Sequence, residues 1–203
     1  MTNFRTLDKS AEILFEETLQ KVRDRFDVRR KEPNVGLKTL VRFEELKKYQ
    51  SLFVHRVTEL KGASGSFIIL LIDKHSTIVR KKKNGAYLEE IQEIEPVLVF
   101  NLQQDVGKAF IRTETVTDKL VDLFIRVDID FKEYPNFSKN YLVVGEKPDE
   151  IQKYLPRGLI ESLEKIEGMI IEINGNMGLV RSEKNLTENL LLQLLSIGYK
   201  ITK

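Results

Sequence analysis

Two histidines, His55 and His75, and two aspartates spaced two apart, Asp128 and Asp130, are the residues of this chain whose types and spacing chemistry could use. Imidazoles on neighbouring strands could begin a metal site or an acid–base pair, but no H-E-x-x-H spacing, third ligand or cysteine goes with them. They are expected at the surface or on an edge strand. Asp128 and Asp130 would point to the same side of a strand and could share a cation. A divalent site needs more ligands, however, and no EF-hand spacing or acidic cluster surrounds them. Turn capping, or pairing with Lys139 or Arg126, is the expectation for both. A metal-dependent enzyme using the two carboxylates is kept as a third alternative.

Nucleophilic and phosphate chemistry find no motif. There is no G-x-S-x-G elbow, and Gly62-Ala63-Ser64-Gly65 reads as a turn inside a hairpin. Neither glycine-rich phosphate pattern occurs. Asn136-Phe137-Ser138 and Asn185-Leu186-Thr187 match the glycosylation pattern by chance. The one concentrated charge run is Arg80-Lys81-Lys82-Lys83, followed by Asn84-Gly85. It could touch phosphates, whether of lipid headgroups or of nucleic acid, each basic residue near an anionic membrane adding on the order of 1 kcal/mol. The plainer reading is a solvated hairpin tip that discourages edge-to-edge aggregation. No catalytic, cofactor-binding or metal-ligating residue is put forward, and no cofactor is expected.

Composition narrows the partners. The 33 basic residues nearly cancel the 31 acidic ones, and no stacking aromatic platform is interleaved with the basic residues, so nucleic-acid binding is not expected. The absence of cysteine fits a reducing compartment. Met1 to Ser10 is polar, and the longest apolar run, Phe67 to Ile72, falls far short of the roughly 20 residues of a membrane helix. A soluble, cytoplasmic protein is therefore expected.

The elements that would position these residues follow from periodicity. Asp8 or Ser10 can cap a helix whose Ala11, Leu14, Phe15, Leu19, Val22 and Phe26 share one face. This places an amphipathic helix in residues 1–32, possible as an appendage to one domain spanning 1–203. Asn34 and Gly36 break the pattern after Pro33, and helix resumes from about Phe43. Leu52 to Val57 and Phe67 to Ile72 form an antiparallel hairpin, Arg80 to Tyr87 is a basic tip, and Pro96 to Phe100 and Ala109 to Ile111 continue a meander. Val116 to Phe124 reads as a short helix.

The stretch from Val127 to Gly145 packs Phe131, Tyr134 and Phe137 around a turn preset by Pro135, then a strand through Tyr141, Leu142, Val143 and Val144. Phe131 and Phe137 are expected to knit the core together and line no cleft. Pro148-Asp149-Glu150 opens a helix, Pro156 interrupts it, and a second helix bears Leu159, Ile160, Leu163 and Ile166 up to Gly168. Met169 to Ile173 and Leu179 to Arg181 flank the hairpin signal Asn174-Gly175-Asn176. Thr187 caps a last helix with Leu190, Leu191, Leu194, Leu195 and Ile197, which Gly198 should stop. The fold class is α+β: an antiparallel meander, then strand, helix, helix, hairpin and helix, with helices on the sheet.

Asp128-Ile129-Asp130-Phe131, Pro135-x-Phe137-Ser138, Tyr141-Leu142 and Gly145-Glu146, followed by a helix pair and a strand ending near Val180-Arg181, resemble a family of uncharacterised bacterial proteins. Its members carry a similar DIDF, then PEFSRRYLLRG, often behind one or two N-terminal membrane helices. The resemblance spans roughly Phe67 to Arg181. Where the family has an FDYRYT-type strand, this chain reads Leu71-Ile72-Asp73-Lys74-His75-Ser76-Thr77. It implies a fold and a membrane-linked setting, with no activity and no site to carry over. Together these observations lead to an expected non-catalytic interaction or scaffold domain in the bacterial cytoplasm, its partner another protein. The alternative is peripheral binding to an anionic membrane through Arg80, Lys81, Lys82 and Lys83.

Overall fold

The computed structural model describes residues 9–82, 85–113 and 128–202. The helix expected over 116–124 lies outside them, as do Arg126, Lys83 and Asn84. In chain order the elements are α1 (Lys9–Gln20), β1 (Asp27–Lys31), α2 (Pro33–Leu40), α3 (Glu44–Lys47), β2 (Ser51–Lys61), β3 (Ser66–Lys82), β4 (Gly85–Asn101) and β5 (Lys108–Thr113). The second half adds α4 (Pro135–Asn140), β6 (Tyr141–Gly145), α5 (Pro148–Tyr154), α6 (Arg157–Leu163), β7 (Met169–Asn174), β8 (Met177–Ser182) and α7 (Glu188–Ile201). The class is α+β, built on one eight-stranded antiparallel sheet in the order β1-β2-β3-β4-β8-β7-β5-β6.

That order corrects the expected meander. The β7–β8 hairpin pairs with both β4 and β5, so β5 is not the neighbour of β4. Leu98 and Leu179 lie on strands with apolar residues on both faces, which suits interior strands, and β1, with Val28 as its only apolar residue, suits an edge. Periodicity alone does not reveal which interior strands are neighbours.

Alternation divides the side chains between two layers. On one face Ile69, Leu71, Leu98, Ile111, Ile171 and Val180 meet apolar residues of α1, α6 and α7. On the other, Leu70, Ile72, Val97, Val99 and Leu179 are covered by Leu40, Phe43 and Leu46 around α2 and α3. Phe137 is fully buried in the first layer, edge-on to Phe131 and stacked on Tyr141. Phe131 also lines a cavity of about 500 Å³ with Asp130, Lys132, Glu133, Lys153 and Arg157, which corrects the expectation that this ring lines no cleft. Burial pushes the Tyr141 phenol up to about 12.

Several local expectations shift. The first helix ends at Gln20, and the chain turns with Val22 and Phe26 still buried before entering β1. Pro33 begins α2 instead of ending a pattern, because its missing N–H costs nothing at the first helical position. Gly36 sits inside that helix, where a Cβ would come 2.6 Å from Leu70. Pro135 likewise starts the short α4 in place of a simple turn. Gly198 does not stop α7, which runs on to Ile201; it lies against the Phe67 ring, 2.6 Å from an ideal Cβ. Thr187 caps α7 as expected, its Oγ1 accepting from Leu190 N–H at 3.1 Å.

Candidate functional site

Strands β3 and β4 carry two contrasting clusters. At mid-strand, on the α3 side, Arg181 of β8 is only 1% exposed and is bound on all sides. Its Nε and Nη2 donate to the two oxygens of Glu95 at 3.0 and 3.1 Å, Nη1 to Glu45 at 2.6 Å, and Nη2 also to the Tyr49 hydroxyl at 3.1 Å. Lys74 Nζ donates to Glu95 at 2.8 Å and to Tyr49 at 3.2 Å, and lies 4.7 Å from the Tyr49 ring centroid. Lys48 pairs with Glu45. Burial opposes the charge on Arg181, but Glu95, gripping two of its nitrogens, outweighs that and holds the guanidinium above its ordinary value. Lys74 is held up in the same way.

Nearby, Glu172 of β7 accepts from the Glu44 and Glu45 backbone N–H groups at 2.7 and 2.8 Å, closing the N-terminus of α3. Burial pushes this carboxyl up, against those two donors. These charges fasten α3 to the sheet. A groove of about 920 Å³ runs beside them, lined in part by Leu14, Gln92, Ile94, Glu183 and Leu186, and the charged groups that reach it from the network, Lys74 and Glu95, are bound to each other.

Further along, the same two strands leave the sheet. Pairing of β2 with β3 ends at Ser51↔His75, and pairing of β8 with β4 reaches no further than Leu98↔Val180. The seven pairs from Ser76↔Ile91 to Lys82↔Gly85 continue as a two-stranded arm with no further strand beside it among the described residues. At about 3.3 Å per residue this is roughly 23 Å of ribbon. Val79 and Leu88 are direct cross-strand partners on one face of it, 62% and 70% exposed. Tyr87 is exposed on the other face, opposite Arg80, whose Nε donates to Glu89 at 2.6 Å. Arg80, Lys81 and Lys82 of the basic run thus end β3.

The structure brings His55 and His75 together around Asp73, a residue the sequence reading did not single out. Its position was nonetheless marked: Asp73 and Lys74 directly follow the apolar run Phe67 to Ile72 within one strand. Asp128 and Asp130, by contrast, are exposed and flank buried Ile129. Asp128 bridges to Val144 in the sheet, and the Asp130 carbonyl accepts from Gln152 at 2.8 Å. Among the described residues no group of three or more metal-ligating side chains could hold an ion, and no helix is long and apolar enough to cross a membrane.

No protein-family model matches the chain, and no curated protein matches it. The fold is similar to the crystal structure of the mycobacterial trehalose monomycolate transport factor A, TtfA, with a TM-score of 0.56. The likeness covers 96% of this chain and 94% of that one at 9% sequence identity, which speaks for the fold alone.

Proposed function

We propose that this chain is a non-catalytic docking domain for another protein in the bacterial cytoplasm, with the β3–β4 arm as its working element. The observation that carries this reading is the Val79–Leu88 pair, two large apolar side chains exposed on a ribbon with no third strand beside it among the described residues. A two-stranded ribbon is marginal in water by itself, and apolar side chains held out on one suit a surface that is covered in use. Glu89 and Glu90 on the shaft favour a protein over an anionic bilayer, and the tightly paired ions around Arg181 suit a structural role. The cysteine-free composition supports the compartment. The fold is shared with a protein named for its part in transport, which is in keeping with an accessory role.

The test is a photo-crosslinking residue placed at Leu88 in the native cell, with the same residue at exposed Glu167 as control. A discrete adduct from Leu88 alone, lost when Val79→Asp is added, is expected; equal labelling from both positions overturns the reading. A second reading, contact with an anionic membrane, is favoured by Arg80, Lys81 and Lys82 at the end of β3, with Lys83 next in sequence. Co-sedimentation with phosphatidylserine-containing vesicles, absent with phosphatidylcholine alone and absent in the triple Lys81→Glu, Lys82→Glu, Lys83→Glu variant, would favour it. No sedimentation at low salt removes it.

A further inference from the structure

We infer that His55, Asp73 and His75 form a proton-operated clamp at the root of the arm, a regulatory device for the docking element proposed above. Strand β2 carries a bulge between Val54 and Arg56, so His55 has no register partner on β3. A bulge re-aims the side chain it carries. Here His55 Nε2 comes 3.6 Å from Oδ2 of Asp73, while His75 Nε2 lies 3.2 Å from Oδ1. The Asp73 side chain is only 4% exposed, and Gln92 of β4 donates to its Oδ2 at 2.6 Å. Three strands therefore converge on one carboxylate at the point where the arm leaves the sheet.

The cluster is incomplete in its hydrogen bonds. His55 Nε2 and Asp73 Oδ1 are both buried without a hydrogen-bond partner. A doubly protonated imidazole donates from Nε2 whichever nitrogen the neutral ring protonates, and two such rings set positive charge against a buried carboxylate, the arrangement that gives strong charge-assisted hydrogen bonds. Histidine side chains as a class gain charge as pH falls from about 8 to about 5.

The surrounding charges bear on the two imidazoles differently. Arg56 lies next to His55 but is held by Glu12 and Glu16 of α1, at 2.8 and 3.4 Å. Arg30, Lys31 and Glu32 share a cavity of about 370 Å³ with His55. Around His75 the neighbours are the Phe53 ring, edge-on at 5.5 Å, and Gln92, with Glu90 the next residue along that face of β4. His75 also lies where β2 lets go: its carbonyl accepts from Gln50 N–H at 2.9 Å, and Thr77 donates to the Gln50 side chain at 2.8 Å. In acid the clamp ties β2, β3 and β4 together and stiffens the arm; toward neutral pH the positive charge leaves, each ring keeps a single N–H, and the root loosens.

Amide hydrogen exchange of the whole protein, corrected for intrinsic rates, reads this directly. Protection of Ile78, Val79, Leu88 and Glu89 is expected to be about five-fold higher near pH 5.5 than near pH 7.5. In Asp73→Asn that difference disappears, while protection of core amides such as Ile171 stays pH-independent. An unchanged pH difference in Asp73→Asn, or none in the unmodified protein, overturns the clamp. Should Asp73→Asn fail to fold, the His55→Gln, His75→Gln double variant carries the same expectation. Titration of the unmodified protein followed at the Asp73 carboxyl carbon gives an independent check: a shift in step with both imidazoles supports the clamp, and an unmoved signal overturns it. The inference rests on the docking reading only for what the clamp serves. Exchange needs no partner, so a missing adduct at Leu88 and a missing pH effect at the root are separate failures.

Discussion

The middle and the far end of the β3–β4 hairpin are one continuous ribbon in two opposite settings. Around Lys74 and Glu95 the ribbon has α3 against one face and β8 nearby, and Lys74 and Arg181 both donate to Glu95. Over its last seven pairs no described strand lies on either side, and Val79 and Leu88 stand in solvent. Identical backbone geometry thus gives a rigid anchor in one place and an open surface in the other. The difference is made by neighbours, and it separates the residues that hold this molecule together from those available to something else.

The contrast can be attacked from the anchor first. Arg181→Ala takes from buried Glu45 and Glu95 the cation they share and leaves each with one lysine, Lys48 and Lys74, and is expected to cost about 3 kcal/mol in urea unfolding. A loss below about 1 kcal/mol would mean that the network is not the anchor described. A second test uses the Tyr141 phenol, held at about 12 in the folded protein against an ordinary 10.0. A group whose folded pKa is raised keeps its full contribution below the unfolded value and loses it as pH climbs toward the folded one. Stability should therefore fall between about pH 10 and about pH 12, and Tyr141→Phe should flatten that fall in alkaline denaturation.

Smaller effects sharpen the comparison. Thr187→Ala removes the cap on α7 and should cost about 1 kcal/mol in thermal unfolding. The paired change Val79→Asp, Leu88→Asp should move stability by no more than about 0.5 kcal/mol, since both side chains are largely exposed. A large destabilisation there would show that the arm belongs to the body after all.

Much of the architecture was legible in local pattern. Thr187 before a run of leucines, Pro148 ahead of two carboxylates and Asn174-Gly175-Asn176 between apolar strands each state their structure within a few residues, and Gly175 takes the positive φ that such a turn needs. What was illegible depended on distance. The insertion of β7 and β8 between β4 and β5 joins segments some 70 residues apart, and nothing in either strand names the other. The glycines of α2 and α7 misled for a related reason: Gly36 and Gly198 serve close approach to Leu70 and Phe67, contacts invisible to a rule about helix ends. The candidate sites divide in the same way. The basic run could be read directly from sequence, whereas the meeting of His55 and His75 needed Asp73, a bulge and a register to become visible.

That register reaches further than the core. Ile69 and Leu71 are locked beneath the helical layer while Leu70 and Ile72 are locked beneath α3 and its neighbours, and a slip by one position would turn each set the wrong way. Val79 stands eight positions beyond Leu71, about 26 Å at ~3.3 Å per residue, on an unbroken strand. Which way the arm presents its apolar pair is consequently decided far from the tip, by interior packing. A visitor to the arm meets a surface whose handedness was set before it arrived.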